Sequence, residues 1–129
     1  MDFAVGLRAG RFEPNADVFV DEARGRVVVH VEVAGADPDT LRVEVHERSL
    51  VISGRRQEAG RTLRGAFVQK EIAYGDFAKR VYLPVAVEYE AIVAEYQDGL
   101  LIIALPIAAT EFIPTMRTEI HMIVKRTLA

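Results

Sequence analysis

From Arg26 to Val33 every second residue is valine: Val27, Val29, Val31 and Val33 share one face of an extended chain, with Arg26, Val28, His30 and Glu32 on the other. Alternation with a period of two predicts a strand with one buried face. The same period recurs in Leu41, Val43 and Val45 against Arg42, Glu44 and His46, and in Phe77, Lys79, Val81 and Leu83 against Ala78, Arg80 and Tyr82. Shorter runs at Asp17–Asp21 and Leu50–Ser53 predict two more strands, the first at a sheet edge. Ile92–Gln97 and Leu100–Leu105 are separated by Asp98-Gly99. Asp-Gly between two apolar runs is a strong hairpin signal, because these residues tolerate positive φ. Leu100–Leu105 carries no polar residue, which predicts a strand covered on both faces and central to the packing. Gly25, Asp37-Pro38, Glu47-Arg48-Ser49, Gly54 and Pro84 punctuate the runs as turn residues and strand breakers do. The pattern predicts an all-β, immunoglobulin-like antiparallel sandwich of seven to eight short strands.

Composition agrees with a packed domain. The chain has 129 residues, 50% hydrophobic and 27% charged, a globular balance at a length suited to one core. Cysteine is absent, so disulfides and thiolate chemistry are excluded and a reducing, cytoplasmic setting is expected. A net charge of −3 argues against a general nucleic-acid binder. No run reaches the ~18 apolar residues of a bilayer span, and Met1–Gly10 lacks the charged start and apolar stretch of a signal peptide. No membrane partner is expected.

The residues that carry chemistry are thinly spread. His30 and His46 fall on the polar faces of their strands, and His121 lies near the C-terminus. No short His or Cys spacing makes a metal site. Ser49 and Ser53 stand at turns or strand ends, outside any Gly-x-Ser-x-Gly context. Asp37 and Asp39 flank a proline, and Glu88 and Glu90 lie in a connector, with no evident pocket to shift their pKa values. The stretch 55–65 holds Arg55, Arg56, Arg61 and Arg64 beside glycines, yet lacks the strand, Gly-rich loop and helix of a phosphate site. No catalytic residue, cofactor or metal is expected.

Two motifs go further. Gly75, Phe77, Leu83 and Pro84 match Gly-x-Phe-x-Arg-x-x-x-Leu-Pro, and Ala94, Asp98, Gly99, Leu100 and Leu101 match Ala-x-x-x-(Asn/Asp)-Gly-(Val/Leu)-Leu. With VEVAGADPDTLRVEVHERSLVISGRR at 31–56, the chain resembles the α-crystallin domain of the small heat shock proteins, the Hsp20 family, over roughly residues 16–106. The resemblance implies an arm at 1–15, a sandwich domain at 16–106 and a C-terminal extension at 107–129. It also implies a strand at Ala66–Ile72 that pairs with a partner subunit, so Phe67, Val68 and Ile72 become dimer-interface candidates. Lys79 stands where the family has Arg at that interface; Lys lacks the planar fork that grips a carboxylate. The family's C-terminal Ile-x-Ile/Val triplet docks in a groove between the edge strands of the two sheets. Its nearest equivalents are Ile120-x-Met122 and Met122-x-Val124, and the groove would involve Val43 and Val45 on one edge, Ile92 and Ala94 on the other.

The resemblance implies an ATP-independent holdase that binds partly unfolded proteins and blocks their aggregation, acting as a homodimer or higher oligomer. The N-terminal arm, which carries client binding and assembly in the family, is short here. A β-sandwich co-chaperone that docks on one specific partner remains the alternative, and an enzyme on the same fold is the remote one.

Overall fold

The computed structural model describes residues 12–58, 64–109 and 118–125. Within them the chain forms β1 (Ala16–Asp21), β2 (Arg26–Glu32), β3 (Arg42–His46), β4 (Ser49–Arg56), β5 (Gly75–Tyr82), β6 (Val93–Gln97), β7 (Leu100–Pro106), β8 (Thr118–Ile120) and β9 (Met122–Val124). Single 3₁₀ turns, Pro38–Thr40 and Tyr89–Ala91, precede β3 and β6. Two sheets result, one ordered β1-β2-β7-β6-β9 and the other β5-β4-β3-β8. The all-β sandwich is the expected class, with nine strands among the described residues in place of seven to eight. One pairing, β6 with β9, is parallel, because the tail approaches β6 after crossing from the opposite sheet.

The period-two pattern becomes the core directly. Val27, Val29, Val31, Val43, Val45, Leu101, Ile103 and Leu105 are each fully buried, and the inner faces of both sheets contribute to one cluster. The expectation for β7 needs correcting. It is flanked by β2 and β6, but only Leu101, Ile103 and Leu105 are buried, while Ile102 and Ala104 are half-exposed. A two-layer sandwich covers one face of each sheet, so an apolar outer face stays open until something lies on it.

Turn chemistry sets the registers. Asp98 and Gly99 both have positive φ, 53° and 83°, and Gln97 pairs with Leu100 across them, the two-residue turn that matches strand twist. Glu47 takes φ 55° between β3 and β4. Ser49 pairs with His46, so it begins β4 and is not part of the turn.

A close approach sits inside the second sheet. Gly54 on β4 lies opposite Phe77 on β5, and a Cβ at Gly54 would stand 2.6 Å from the Phe77 ring and 2.9 Å from Leu41 Cδ2. Phe77 is 2% exposed. Phe12 adds a short parallel bridge to Phe77, with ring centroids 5.4 Å apart, and so ties the last part of the N-terminal segment to β5.

One buried polar contact fastens the β6–β7 end. The Tyr96 hydroxyl donates to the Val33 carbonyl at 3.0 Å. Burial raises its pKa above the ordinary value, partly offset by a hydrogen bond from the Ala36 backbone. The folded pKa lies above the unfolded one, so this stabilisation is full below pH ~10 and fades as pH rises through the folded value. Tyr96→Phe leaves the Val33 carbonyl without this donor, and a urea titration should show a loss of about 1 kcal/mol at neutral pH.

Candidate functional site

Among the described residues no group of three or more His, Cys, Asp or Glu side chains is placed to hold a metal. His30 and His121 are exposed and His46 is half-buried. The features that stand out are surfaces: two sheet edges carrying the chain's own tail, and two apolar stretches facing solvent.

The tail crosses between the sheets. β8 pairs antiparallel with β3, setting Val43 opposite Ile120, Glu44 opposite Glu119 and Val45 opposite Thr118. After His121, β9 pairs in parallel with β6, setting Ala94 opposite Met122, Glu95 opposite Ile123 and Tyr96 opposite Val124. The Lys125 N–H donates to the Tyr96 carbonyl at 2.8 Å. Eight residues, 118–125, thus occupy the edges of both sheets at one side of the sandwich. Edge strands present unpaired backbone groups, and a bridging segment satisfies a row of them on each.

Side-chain burial shows how the segment is held. Ile120 is 7% exposed and joins the core, and Met122 and Val124 pack against it half-buried. Val43, Val45 and Ala94 are fully buried beneath. Ile92 is also buried but lies just ahead of β6, after the 3₁₀ turn. The structure therefore brings Val43 to Ile120 and Ala94 to Met122, whereas Val45 meets Thr118 and Ile92 has no rung opposite the tail. Tyr96 opposite Val124 was not legible as part of this seat, since an aromatic on a strand reads equally well as core. Nor were the charges at its ends. Arg42 Nη1 reaches Glu119 Oε1 at 3.1 Å, and Lys125 Nζ reaches Glu95 Oε2 at 3.2 Å. Beside the tail, an open cleft of about 550 Å³ runs between Pro38, Leu41 and Met122.

The second feature is the exposed apolar surface. On β1, Val18 is 44%, Phe19 64% and Val20 40% exposed. β1 is hydrogen-bonded to β2 alone, so its other edge is open within the described residues. Phe67, Val68 and Ile72 are 58%, 103% and 62% exposed. They lie in a segment that forms no strand within this chain. Its stem is anchored. Arg56 Nε donates to the Ala73 carbonyl at 2.8 Å and Nη1 to the Ala34 carbonyl at 3.2 Å, while the guanidinium stacks 4.4 Å from the Phe12 ring centroid. Lys79 is not among these exposed groups. Its ammonium pairs with Glu13 at 3.0 Å, tying β5 to the N-terminal segment. Met1–Arg11, the middle of the arginine-rich stretch (59–63) and Phe112-Ile113 lie outside the described residues.

Comparison with known proteins agrees with this architecture. The Hsp20/alpha crystallin family matches residues 20–121. The 19.0 kDa class II heat shock protein of Oryza sativa is 34% identical over 107 residues, covering 77% of this chain and 61% of its own. Alpha-crystallin of Mycobacterium tuberculosis is 34% identical over 104 residues, covering 80% and 66%. Small heat shock protein C4 of Rickettsia felis is 27% identical over 93 residues, covering 72% and 56%. This chain therefore spans about three fifths of the length of these curated relatives. Among solved structures, heat shock protein 16.0 from Schizosaccharomyces pombe superposes with a TM-score of 0.71 at 25% identity, covering 79% of this chain and 71% of that one. The hspA protein of Xanthomonas axonopodis gives 0.67 at 26% identity, covering 76% and 96%. The matched family spans both sheets and reaches β8, and the solved relatives share the sandwich: this chain belongs to the Hsp20/alpha crystallin family, the small heat shock proteins.

Proposed function

We propose that this chain is an ATP-independent holdase that captures partly unfolded proteins and keeps them from aggregating, with neither cofactor nor catalytic residue. Members of its family are generally chaperones. The observation that carries the reading for this chain is exposed apolar surface, Val18–Val20 on the open edge strand β1 and Phe67, Val68 and Ile72 outside both sheets. A non-native chain exposes the same kinds of surface, apolar side chains and unpaired strand edges. Two such chains self-associate, and a chaperone that offers an edge and an apolar face competes with that. Binding the unfolded state in preference to the native one lowers the client's apparent folding stability while keeping it soluble.

In this reading the molecule works as a homodimer. The 66–72 segment of one subunit adds to the open edge of β1 on the other, Phe67, Val68 and Ile72 pack on Phe19, and both surfaces open to a client when the subunits separate. Reciprocal exchange of one segment is a common route to a twofold dimer. Lys79, engaged with Glu13, would contribute indirectly by holding the N-terminal segment. Residues 1–15 act as the arm, 16–106 as the sandwich and 107–129 as the extension, and the seat of Val43, Val45, Ile92 and Ala94 accepts clients when the tail leaves it. The cysteine-free composition suits a reducing cytoplasm.

The test is light scattering of a heat-unfolding client enzyme, with no nucleotide present, alongside this protein's mass by multi-angle scattering. Suppression near one subunit per client is expected, from a dimer or a multiple of it. Unabated aggregation beside a well-folded dimer would reject general holdase activity and point to a co-chaperone with one specific partner.

A further inference from the structure

Between Arg56 and Gly75 the chain leaves the second sheet and comes back. Arg56 is the last residue of β4 and pairs with Gly75, the first of β5. The two mark the mouth of the excursion that carries Phe67, Val68 and Ile72. Two side-chain ties join its outgoing limb to its returning one. Arg56 donates from Nε and Nη2 to the Ala73 carbonyl, and further out Lys70 Nζ pairs with Glu58 Oε1 at 2.6 Å. The Lys70 side chain is 47% exposed, and a solvated ion pair of that kind contributes little. Arg56 is half-buried and its hydrogen bonds are charge-assisted, the stronger class. The mouth therefore holds more firmly than the outer tie.

The same guanidinium serves three other groups. Nη1 donates to the Ala34 carbonyl at 3.2 Å. The central carbon lies 4.4 Å from the Phe12 ring centroid and 5.8 Å from that of Tyr74. Its backbone is fixed independently, because Arg56 bridges Ala36 and the Asp37 N–H donates to the Arg55 carbonyl at 2.9 Å. One planar fork thus touches the β2–β3 connection, the returning limb of the excursion and the root of the N-terminal segment. Serving two carbonyls while stacking on a ring is a task for the rigid fork of arginine, which the point charge of lysine cannot perform.

We infer that Arg56 positions segment 66–72 for association with a second copy of this chain, and that Phe12, by capping the guanidinium, makes the strength of that association depend on the N-terminal segment. This rests on the reading of 66–72 as the dimer segment. Every residue ordered only on association costs conformational entropy, so a segment held in shape beforehand binds more tightly. Segment 66–72 forms no strand within its own chain, so the tie at its mouth supplies that order.

Arg56→Met keeps the stem and removes the fork. By sedimentation of the full chain it should raise the dimer Kd roughly ten- to a hundredfold, the worth of a hydrogen bond to a charged group. Arg56→Lys keeps the charge and should weaken the dimer nearly as much; a native Kd in that variant would reject the fork. Phe12→Ala should raise Kd about two- to fivefold and add nothing once position 56 is methionine, since residues in contact are not additive. An undiminished Phe12→Ala effect in the Arg56→Met background would overturn the coupling. A lysine-specific protease, applied to Phe67→Asp chains so that association protects nothing, separates positioning from a general structural role. Arg56→Met should speed cleavage after Lys70 about tenfold relative to cleavage after Lys79 in β5. Equal acceleration at both sites would mean a loosened sandwich and overturn the positioning role. If Phe67→Asp leaves the mass unchanged, the dimer reading falls and this role with it. A halved mass in Phe67→Asp beside an unaltered Kd in Arg56→Met rejects the role of Arg56 alone.

Discussion

Phe77→Ala is expected to cost about 3–5 kcal/mol of folding stability, the amount typical of emptying a buried phenylalanine site. The ring is 2% exposed, and it is wedged where β4 offers no side chain. A Cβ on Gly54 would come within 2.6 Å of it. The two positions are therefore one packing unit, a large residue fitted to an absent one across the β4–β5 ladder. Gly54→Ala alone should cost about 1–3 kcal/mol, since the ring can give only by leaving its rotamer and Leu41 stands 2.9 Å away on the other side. Combined, the substitutions should cost less than their sum, because the alanine methyl enters space the ring vacated. A double-mutant cycle by urea unfolding reads the coupling, expected at 0.5 kcal/mol or more for residues in contact. Strict additivity would mean that the backbone has moved apart. Phe77→Ala should also release Phe12, whose ring loses its partner at 5.4 Å, so proteolysis near the N-terminus should quicken by more than the global loss accounts for.

Phe67→Asp should convert the proposed dimer to monomer. Phe67 is 58% exposed in the single chain, and in a twofold exchange it is buried twice per dimer. Losing two buried phenylalanines removes about 3–6 kcal/mol of association free energy, two to four orders of magnitude in Kd, before the cost of burying two carboxylates. Sedimentation at micromolar concentration should show half the mass. The fold should stay intact, since the ring stands largely in solvent, with the Lys70 ammonium 5.1 Å from its centroid. Phe19→Asp on β1 should give the same outcome from the other side of the interface, and an unchanged mass in both variants would place the dimer contact elsewhere. If client suppression survives dissociation, capture belongs to each subunit separately.

Much of the sandwich was legible from local pattern. The valines of β2 and β3 declared both their strand and their buried face, because alternation is a property of consecutive residues and the core needs only one side of each strand. Asp98-Gly99 declared its turn for the same reason: positive φ is a demand on two residues, met by their own chemistry. The family motifs lay in these same stretches. The small errors are local as well. β3 begins at Arg42 and β6 at Val93, after 3₁₀ turns that place Leu41 and Ile92 just ahead of the strands, and Ser49 belongs to β4.

The chain's alternation alone determined that this protein is a β-sandwich with Val27, Val29, Val31, Val43 and Val45 lining its interior. Only the tertiary structure decided what those strands meet. An apolar run such as Leu100–Leu105 states that a strand is buried, but whether its second face is covered depends on a layer remote in sequence, and here Ile102 and Ala104 stay half-open. The tail triplet states a wish to be buried; that it lies antiparallel on β3 and parallel on β6 follows from where two edges happen to stand after the sheets have packed. Arg42 and Glu119 are 77 residues apart in the chain, and no period or spacing links them. Long-range charge pairs and edge occupancy are set by the packed geometry, which exists only once the core has formed.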